Sequence, residues 1–414
     1  EAWEKITLAS TIGGMVINTA GVTLAHGMEH PASGLKDIVH GQGLAALTPV
    51  IVEASHKGNH FKFAKIARIF GGVTAEDLAG KLRSLLKDIE LSCTLSDLGL
   101  SEEDIPWMAE NCMKGEEIHP EENRFFWDDA DRFVKFGQDN GLAIIGHCLV
   151  WHSQPPVWMF TDERGDTVSR DVLIDRMHRH ISAVVGRYKG RILGWDVVNE
   201  IFNDDGTFRN SPYYRIIGPE FVELAFKFAH EADPNAELYI NDYSLAKPAK
   251  RDAVCRIVRE LKSKGYRVDG IGMQSHNGLE YPDLDEYEKS IDAFAACGVK
   301  VMITELDVNV LPNPEKFGGA EISQNFKYAD ALNPYKNGLP EEVEKEFEKR
   351  YLDIFNIYYR HRGQISRVTL WGVTDTRSWL NDFPVPGRVN YPLLFDRSNK
   401  PKPVVDKIIK IFEK

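Results

Sequence analysis

Gly194-Trp195-Asp196-Val197-Val198-Asn199-Glu200 is a short, largely apolar run that closes on an asparagine and a glutamate. Val301-Met302-Ile303-Thr304-Glu305-Leu306-Asp307 repeats the design farther along the chain. Around these two lie further strand-like runs, so that the set comprises 142–150, 192–198, 237–240, 270–273, 300–303 and 367–371. Stretches with helical spacing separate most of them, for example 171–188, 219–231 and 341–361. Repeated strand–helix units with buried strands imply a parallel sheet. Polar and aromatic residues crowd the C-terminal end of each strand, which favours a (β/α)8 barrel over a doubly wound sheet. No glycine-rich dinucleotide fingerprint follows any strand, which weakens the doubly wound alternative further. The fold class read from this half is therefore α/β, of the TIM-barrel type.

Glycoside hydrolysis needs two carboxyl groups facing one another across a sugar. One protonates the leaving oxygen, and the other attacks the anomeric carbon or activates water. Glu200 and Glu305, each ending a rigid strand, meet that requirement. A glutamate at a loop start is more often plain surface, so the neighbouring segments matter. His147 and Trp151–Gln154 follow one strand, Asn241-Asp242-Tyr243 another and Gln274-Ser275-His276 a third. Trp371 ends the last strand, and Trp379 lies close behind. One tryptophan alone reads as core, and one histidine as a satisfied hydrogen bond. Several together after strands suit a concave small-molecule site, with aromatic faces for pyranose rings and amides for hydroxyls.

The chain has 414 residues, a formal net charge of −12 and 43% hydrophobic residues, enough for a large barrel and an extra piece. No basic cluster is present to neutralise phosphates, so no nucleic-acid partner is expected. Cys93, Cys112, Cys148, Cys255 and Cys297 are scattered, with no CxxC pair to suggest zinc or a disulfide framework. Residues 11–25, the longest weakly charged stretch, are too short and too rich in Gly and Thr to cross a bilayer, so no membrane partner is expected. No signal peptide is visible, and localisation is left open.

Composition changes near residue 110. Trp3, Phe61, Phe63, Phe70 and Trp107 are the aromatic residues of 1–110, and the first tyrosine is Tyr188. Residues 1–110 read as helical, without a strong strand. Phe61–Phe70 has helical spacing and stops at Gly71-Gly72. Thr74 with Asp77 resembles a capping box, followed at helical spacing by Leu78, Leu82, Leu85, Leu86 and Ile89.

With these motifs in place, residues 111–414 resemble the family 10 glycoside hydrolases, mainly endo-β-1,4-xylanases. The resemblance implies retaining hydrolysis of xylan or xylo-oligosaccharides, with no metal or cofactor. It implies Glu200 as acid/base and Glu305 as nucleophile. It implies Asn199 on the sugar 2-hydroxyl, and His147, Trp151, Gln154, Gln274, His276, Trp371 and Trp379 along the glycone subsites. Tyr243 joins the expected substrate-binding residues, and Asn111 and Lys114 match an outer-subsite motif. His276 would help keep the nucleophile ionised.

The family's first strand, first helix and second strand find no match here, so a barrel lacking two strands is expected. Residues 1–114 instead resemble the C-terminal helical part of iron-dependent alcohol dehydrogenases, through His26-Gly27-Met28-Glu29-His30-Pro31 and Asp37-Ile38-Val39-His40-Gly41. By that resemblance His26 and His40 are two of four metal ligands. The other two and the nucleotide-binding half find no match, so the pair reads as a vestige. The chain thus reads as a chimera of a helical segment, 1–110, and a truncated barrel, 111–414. The alternatives are a barrel that binds carbohydrate without cleaving it, a chimeric product without activity, and an iron-dependent dehydrogenase.

Overall fold

The computed structural model describes residues 38–56, 60–101, 118–315, 317, 319–322, 324 and 326–413. The chain divides into two units, Glu1–Pro120 and Glu121–Lys414.

The first unit contains the helices α1 (His40–Ser55), α2 (His60–Ile69) and α3 (Asp77–Asp88). Glycine at the left-handed φ of +78° in Gly71 ends α2, as the Gly71-Gly72 pair requires. One carboxylate oxygen of Asp77 accepts the backbone N–H groups of Val73 (2.7 Å) and Thr74 (2.8 Å). The acid expected from the Thr74/Asp77 pattern therefore satisfies donors that the helix start leaves without partners. Leu78 is buried, but Leu85 and Ile89, on the same apolar stripe, are exposed. Among the described residues nothing covers that half of the stripe, and no strand lies within residues 38–101. His26, Asn111 and Lys114 lie outside the described residues, as does the side chain of His40.

The second unit opens with α4 (Asp128–Asp139) and alternates thereafter. Its elements are β1 (Ile145–Trp151), α5 (Arg170–Arg187), β2 (Gly194–Asn199), α6 (Pro212–Ile217), α7 (Phe221–Ala232), β3 (Glu237–Asp242) and α8 (Pro248–Ser263). They continue as β4 (Gly270–Met273), β5 (His276–Gly278), α9 (Leu284–Ala295), β6 (Lys300–Asn309), α10 (Glu341–Arg360), β7 (Ile365–Leu370) and α11 (Val404–Phe412). All six residues of β2 are buried, as befits a parallel strand covered on both faces.

Every strand pair is parallel, in the order β1-β2-β3-β4-β6-β7. The short β5 prolongs β4 beyond a break and pairs with the far end of β6. Among the described residues the result is the (β/α)8 type without its first two strands, preceded in the sequence by α1–α3. Among the described residues no further strand pairs with β1 or β7, so both present an open edge.

Of the expected strands only 270–273 keeps its bounds, and two of the others differ most from the sequence reading. The first begins at Ile145 rather than at 142, because Gly141 (φ +64°) and the Leu142 N–H bonded to the Gly137 carbonyl (2.8 Å) close α4. β6 runs on from Ile303 to Asn309, since its polar residues face the buried strand ends rather than a loop.

Close packing across the sheet depends on small residues. A Cβ on Gly146 would stand 2.0 Å from the ring of Trp195, its partner in register on β2. Trp195 is itself buried, so the ring has little room to yield. Gly146→Ala is expected to cost about 1–3 kcal/mol. Urea denaturation checks this, and an unchanged midpoint would mean that the ring moves freely.

Candidate active site

Glu200 follows β2 directly, in a left-handed conformation with φ +57°. Its N–H donates to the Asn241 carbonyl (2.9 Å), and its own carbonyl accepts from Arg209 Nε (3.0 Å). These two bonds hold a backbone that an L-residue adopts only at a cost of about 1–3 kcal/mol. The Glu200 carboxyl accepts from Trp151 Nε1 (2.9 Å), Gln274 Nε2 (3.1 Å) and Asn199 Nδ2 (3.2 Å).

Glu305 lies within β6, where the register against β7 slips between Ile303 and Leu306. Such a bulge re-aims side chains. Here it brings both Thr304 and Glu305 to Asn241. Thr304 Oγ1 donates to Asn241 Oδ1 (2.7 Å), and Asn241 Nδ2 donates to Glu305 Oε1 (2.9 Å). The same Asn241 Nδ2 reaches Asn199 Oδ1 (3.0 Å), which also accepts from Gln274 Nε2 (3.2 Å). Three amides thus tie the two glutamates into one network, and each glutamate is only 4% exposed.

The environments of the two carboxyls differ. His276 Nε2 lies 3.1 Å from Glu305 Oε2, and His276 Nδ1 lies 3.1 Å from Asp307 Oδ2. Burial works to raise the Glu305 pKa. The bond and charge of His276, the charge of His147 and the Asn241 bond outweigh it, so the carboxyl titrates below its ordinary value of 4.5. Burial likewise opposes charge on His276, but Asp307 and Glu305 prevail and lift it to about 10. His276 is therefore an imidazolium at neutral pH, and Glu305 a carboxylate. His147 is also raised: burial opposes its charge, and the Asp196 carboxylate at 2.9 Å overcomes the opposition.

Aromatic rings surround this network. Trp371 meets His147 and His276 edge to face, with ring centres 5.9 and 6.2 Å apart, and it is exposed. Trp379 Nε1 donates to Asp307 Oδ2 (2.8 Å), and its ring lies 4.7 Å from His276. Tyr243 is buried, donor to none of the carboxyls, and its hydroxyl accepts from Arg209 Nη2 (2.7 Å). With Gln274, His276, Tyr281 and Phe317 it lines a cavity of about 300 Å³. Gln154 stands apart, exposed and left-handed (φ +61°), outside the bonded cluster.

Among the residues singled out in the sequence, Glu200, Glu305, Asn199, Trp151, Gln274, His276, His147, Trp371 and Trp379 come together here. Asn241, quoted in the sequence as a residue after a strand, joins them, and Asp196, Thr304, Asp307 and Arg209 belong to the same network without having been given a role. Asp307 was within reach of strand periodicity, two residues beyond Glu305. Asp196 was not, because β2 slips register between Asp196 and Val198 and breaks strict alternation. A larger cavity than that beside Tyr243, about 930 Å³, lies elsewhere, over the ion pair of the buried Asp375 with Lys402 near the start of α10. It holds acidic and basic residues around that pair and neither strand-end glutamate, so size alone does not mark the reacting centre.

The described residues include no group of three His, Cys, Asp or Glu side chains arranged to hold a metal, and no helix among them is long and apolar enough to cross a membrane.

Comparison with known proteins accords with this geometry. The family model described as glycosyl hydrolase family 10 matches residues 104–411. That of the Fe-containing alcohol dehydrogenase family, C-terminal, matches residues 1–127. Endo-1,4-beta-xylanase A of Xylanibacter ruminicola is 62% identical over 306 residues, 74% of this chain and 83% of the relative. The endo-1,4-beta-xylanase of Geobacillus stearothermophilus is 42% identical over 305 residues, 73% of this chain and 87% of the relative. Among solved structures, a GH10 endoxylanase retrieved from a sugarcane soil metagenome shares 46% identity at a TM-score of 0.70, covering 75% of this chain and 93% of its own. A mutant of the intracellular xylanase of Thermoanaerobacterium saccharolyticum, solved with xylotriose, shares 34% at a TM-score of 0.61, covering 72% of this chain and 85% of its own.

Proposed function

Residues 104–411 make this chain a member of glycosyl hydrolase family 10, and from that membership we propose how its strand ends divide the work. The reaction is endo-hydrolysis of β-1,4-xylosidic bonds in xylan, with retention of configuration. Glu305 is the nucleophile and forms the glycosyl-enzyme intermediate. Glu200 protonates the departing sugar oxygen and then takes a proton from the water that releases the product. The observation that carries this assignment is the contact of His276 with Glu305 at 3.1 Å. An imidazolium there keeps the nucleophile ionised, whereas Glu200 accepts its hydrogen bonds from the neutral Trp151, Gln274 and Asn199, with His152 Nδ1 farther off at 4.0 Å. Retention calls for carboxyl groups about 5–5.5 Å apart in the substrate complex.

Trp371 and Trp379 supply ring faces to the glycone, and Asn199, His147, Trp151, Gln154, Gln274, Tyr243, Asn111 and Lys114 are assigned to substrate binding. We assign residues 111–414 to the barrel domain and residues 1–110 to a separate segment that precedes it in the sequence. Release of reducing sugar from xylan tests the activity.

Trp371→Ala and Trp379→Ala are each expected to raise KM about tenfold, the loss of roughly 1–1.5 kcal/mol of ring contact. Trp379→Ala should also lower kcat, because its N–H bonds the Asp307 that orients His276. Unchanged KM in both variants would place the sugar elsewhere.

A second reading is favoured by the open edges of β1 and β7. A barrel without its first two strands could bind xylo-oligosaccharides and fail to turn them over. Calorimetric binding of xylotriose without release of reducing ends would decide for it.

A further inference from the structure

Gln274 and His276 bond the two catalytic glutamates, and a single residue, Ser275, joins them. Ser275 adopts φ +65°, a left-handed conformation unfavourable for any residue with a side chain. It interrupts the strand, so that β4 ends at Met273 and β5 starts at His276. Both pieces pair with β6, but at its two ends, Gly270–Met273 with 300–303 and His276–Gly278 with 307–309.

The side chain of Ser275 points away from the carboxylates and into a buried run of hydroxyls. Its Oγ lies 2.6 Å from Tyr287 Oη on α9, which lies 2.8 Å from Tyr358 Oη on α10. Ser275 Oγ also donates to the Met273 carbonyl (3.2 Å). That bond fixes the direction of the whole run. Ser275 has one hydroxyl hydrogen, so its oxygen accepts from Tyr287, whose oxygen in turn accepts from Tyr358. Both tyrosines are 2% exposed, so a lost link leaves a buried hydroxyl without its partner.

We propose that Ser275, Tyr287 and Tyr358 are positioning residues: a hydroxyl ladder from two outer helices that fixes the left-handed turn and so aims His276 at Glu305. The proposal rests on the role assigned above to Glu305. The groups facing the His276 imidazole are Glu305 and Asp307 of β6, with the rings of Trp371 and Trp379. None of them belongs to the ladder, so the ladder acts only through the backbone of residues 274–276.

The test is Tyr287→Phe in the full chain, with Tyr358→Phe as a second variant that keeps the inner bond. Tyr287→Phe should lower kcat/KM on xylan roughly tenfold, the equivalent of one buried hydrogen bond. It should move the acid limb of the pH profile upward, because a loosened His276 no longer depresses Glu305. Tyr358→Phe should shift the limb the same way by less. Ser275→Ala combined with Tyr287→Phe should shift it no further than Ser275→Ala alone, since either change already breaks the Ser275–Tyr287 link through which the ladder reaches the turn. A turnover-free readout is the NMR titration of the His276 imidazole, which should deprotonate at a lower pH in Tyr287→Phe than in the parent. An altered titration in a parent that does not cleave xylan would uphold the ladder and refute the proposed reaction. An unchanged imidazole titration and acid limb, with only a lower melting temperature, would reduce the ladder to core packing and overturn the proposal.

Discussion

Glu305→Ala is expected to lower kcat on xylan by on the order of 10⁵–10⁶-fold, the scale seen when a covalent nucleophile is removed. The hydrogen bonds of this network explain why no neighbour takes over. Asn241 Nδ2 and His276 Nε2 both converge on the Glu305 carboxylate, and both present nitrogen donors in its place. Asp307, the nearest further carboxylate on β6, is engaged by His276 and by Trp379. Loss of Glu305 also removes one of the two anions that hold His276 charged. The imidazole, at about 10 in the parent, should therefore titrate lower in the variant. The same pairing has a stability signature. The raised His276 value contributes stability present below the ordinary 6.5 and lost as pH rises through about 10. The lowered Glu305 value contributes stability present above 4.5 and lost as pH falls through the depressed value. Glu305→Ala should abolish the acid limb and only shrink the alkaline one, because Asp307 still holds His276 charged.

Glu200→Ala should separate substrates by leaving group. On xylan, whose departing sugar alkoxide needs a proton, kcat/KM is expected to fall about 10²–10⁴-fold, the usual share of general acid catalysis. On an aryl xyloside with an acidic phenol, kcat/KM should fall only a few-fold, because bond cleavage there needs little protonation. The kcat on that substrate should still drop, since hydrolysis of the glycosyl-enzyme needs Glu200 as base. A burst of phenol followed by slow turnover is the expected trace. Equal losses of kcat/KM on both substrates would contradict the division of roles. The geometry adds a warning about the choice of variant. Glu200 sits at φ +57° and its carboxyl fills the space among Trp151, Asn199 and Gln274. Glu200→Gln preserves that space and serves as the control for displaced neighbours.

Much of the barrel half was legible because its strands are buried on both faces and read as apolar runs. Every expected strand there is present, and the errors lie at the ends. Residue 142 was assigned to the first strand because it is apolar, although it caps α4. Residues 304–309 escaped the strand assignment because Thr304, Glu305, Asp307 and Asn309 look like loop residues until the neighbouring strand ends bury them. The site was legible through its motifs and not through periodicity. Bulges in β2 and β6 break the two-residue repeat at the positions where Asp196, Asn199 and Glu305 enter the network. Asn241 bonds Glu305 and, through Asn199, joins it to the Glu200 side of the network, a role that shows only once β3 is placed between the two strands.

Among the described residues of the first unit, the helices expected at 61–70 and after Asp77 are present, but their apolar faces were less well read as core. Leu85 and Ile89 follow helical spacing and remain exposed, as does Phe61 in α2. Spacing reports which face of a helix is apolar, and a partner must exist before that face is buried. Residues 1–127 match only the C-terminal part of their family, and the described residues supply no second layer for this face.

The account stands on a retaining reaction carried by Glu200 and Glu305 in this chain. The most direct measurement is proton NMR of the anomeric signals released from a xylo-oligosaccharide in the first minutes of incubation. The β-anomer should appear first and then mutarotate, with no signal in the Glu305→Ala variant. First appearance of the α-anomer, or no product from a folded chain that binds the oligosaccharide, would contradict it.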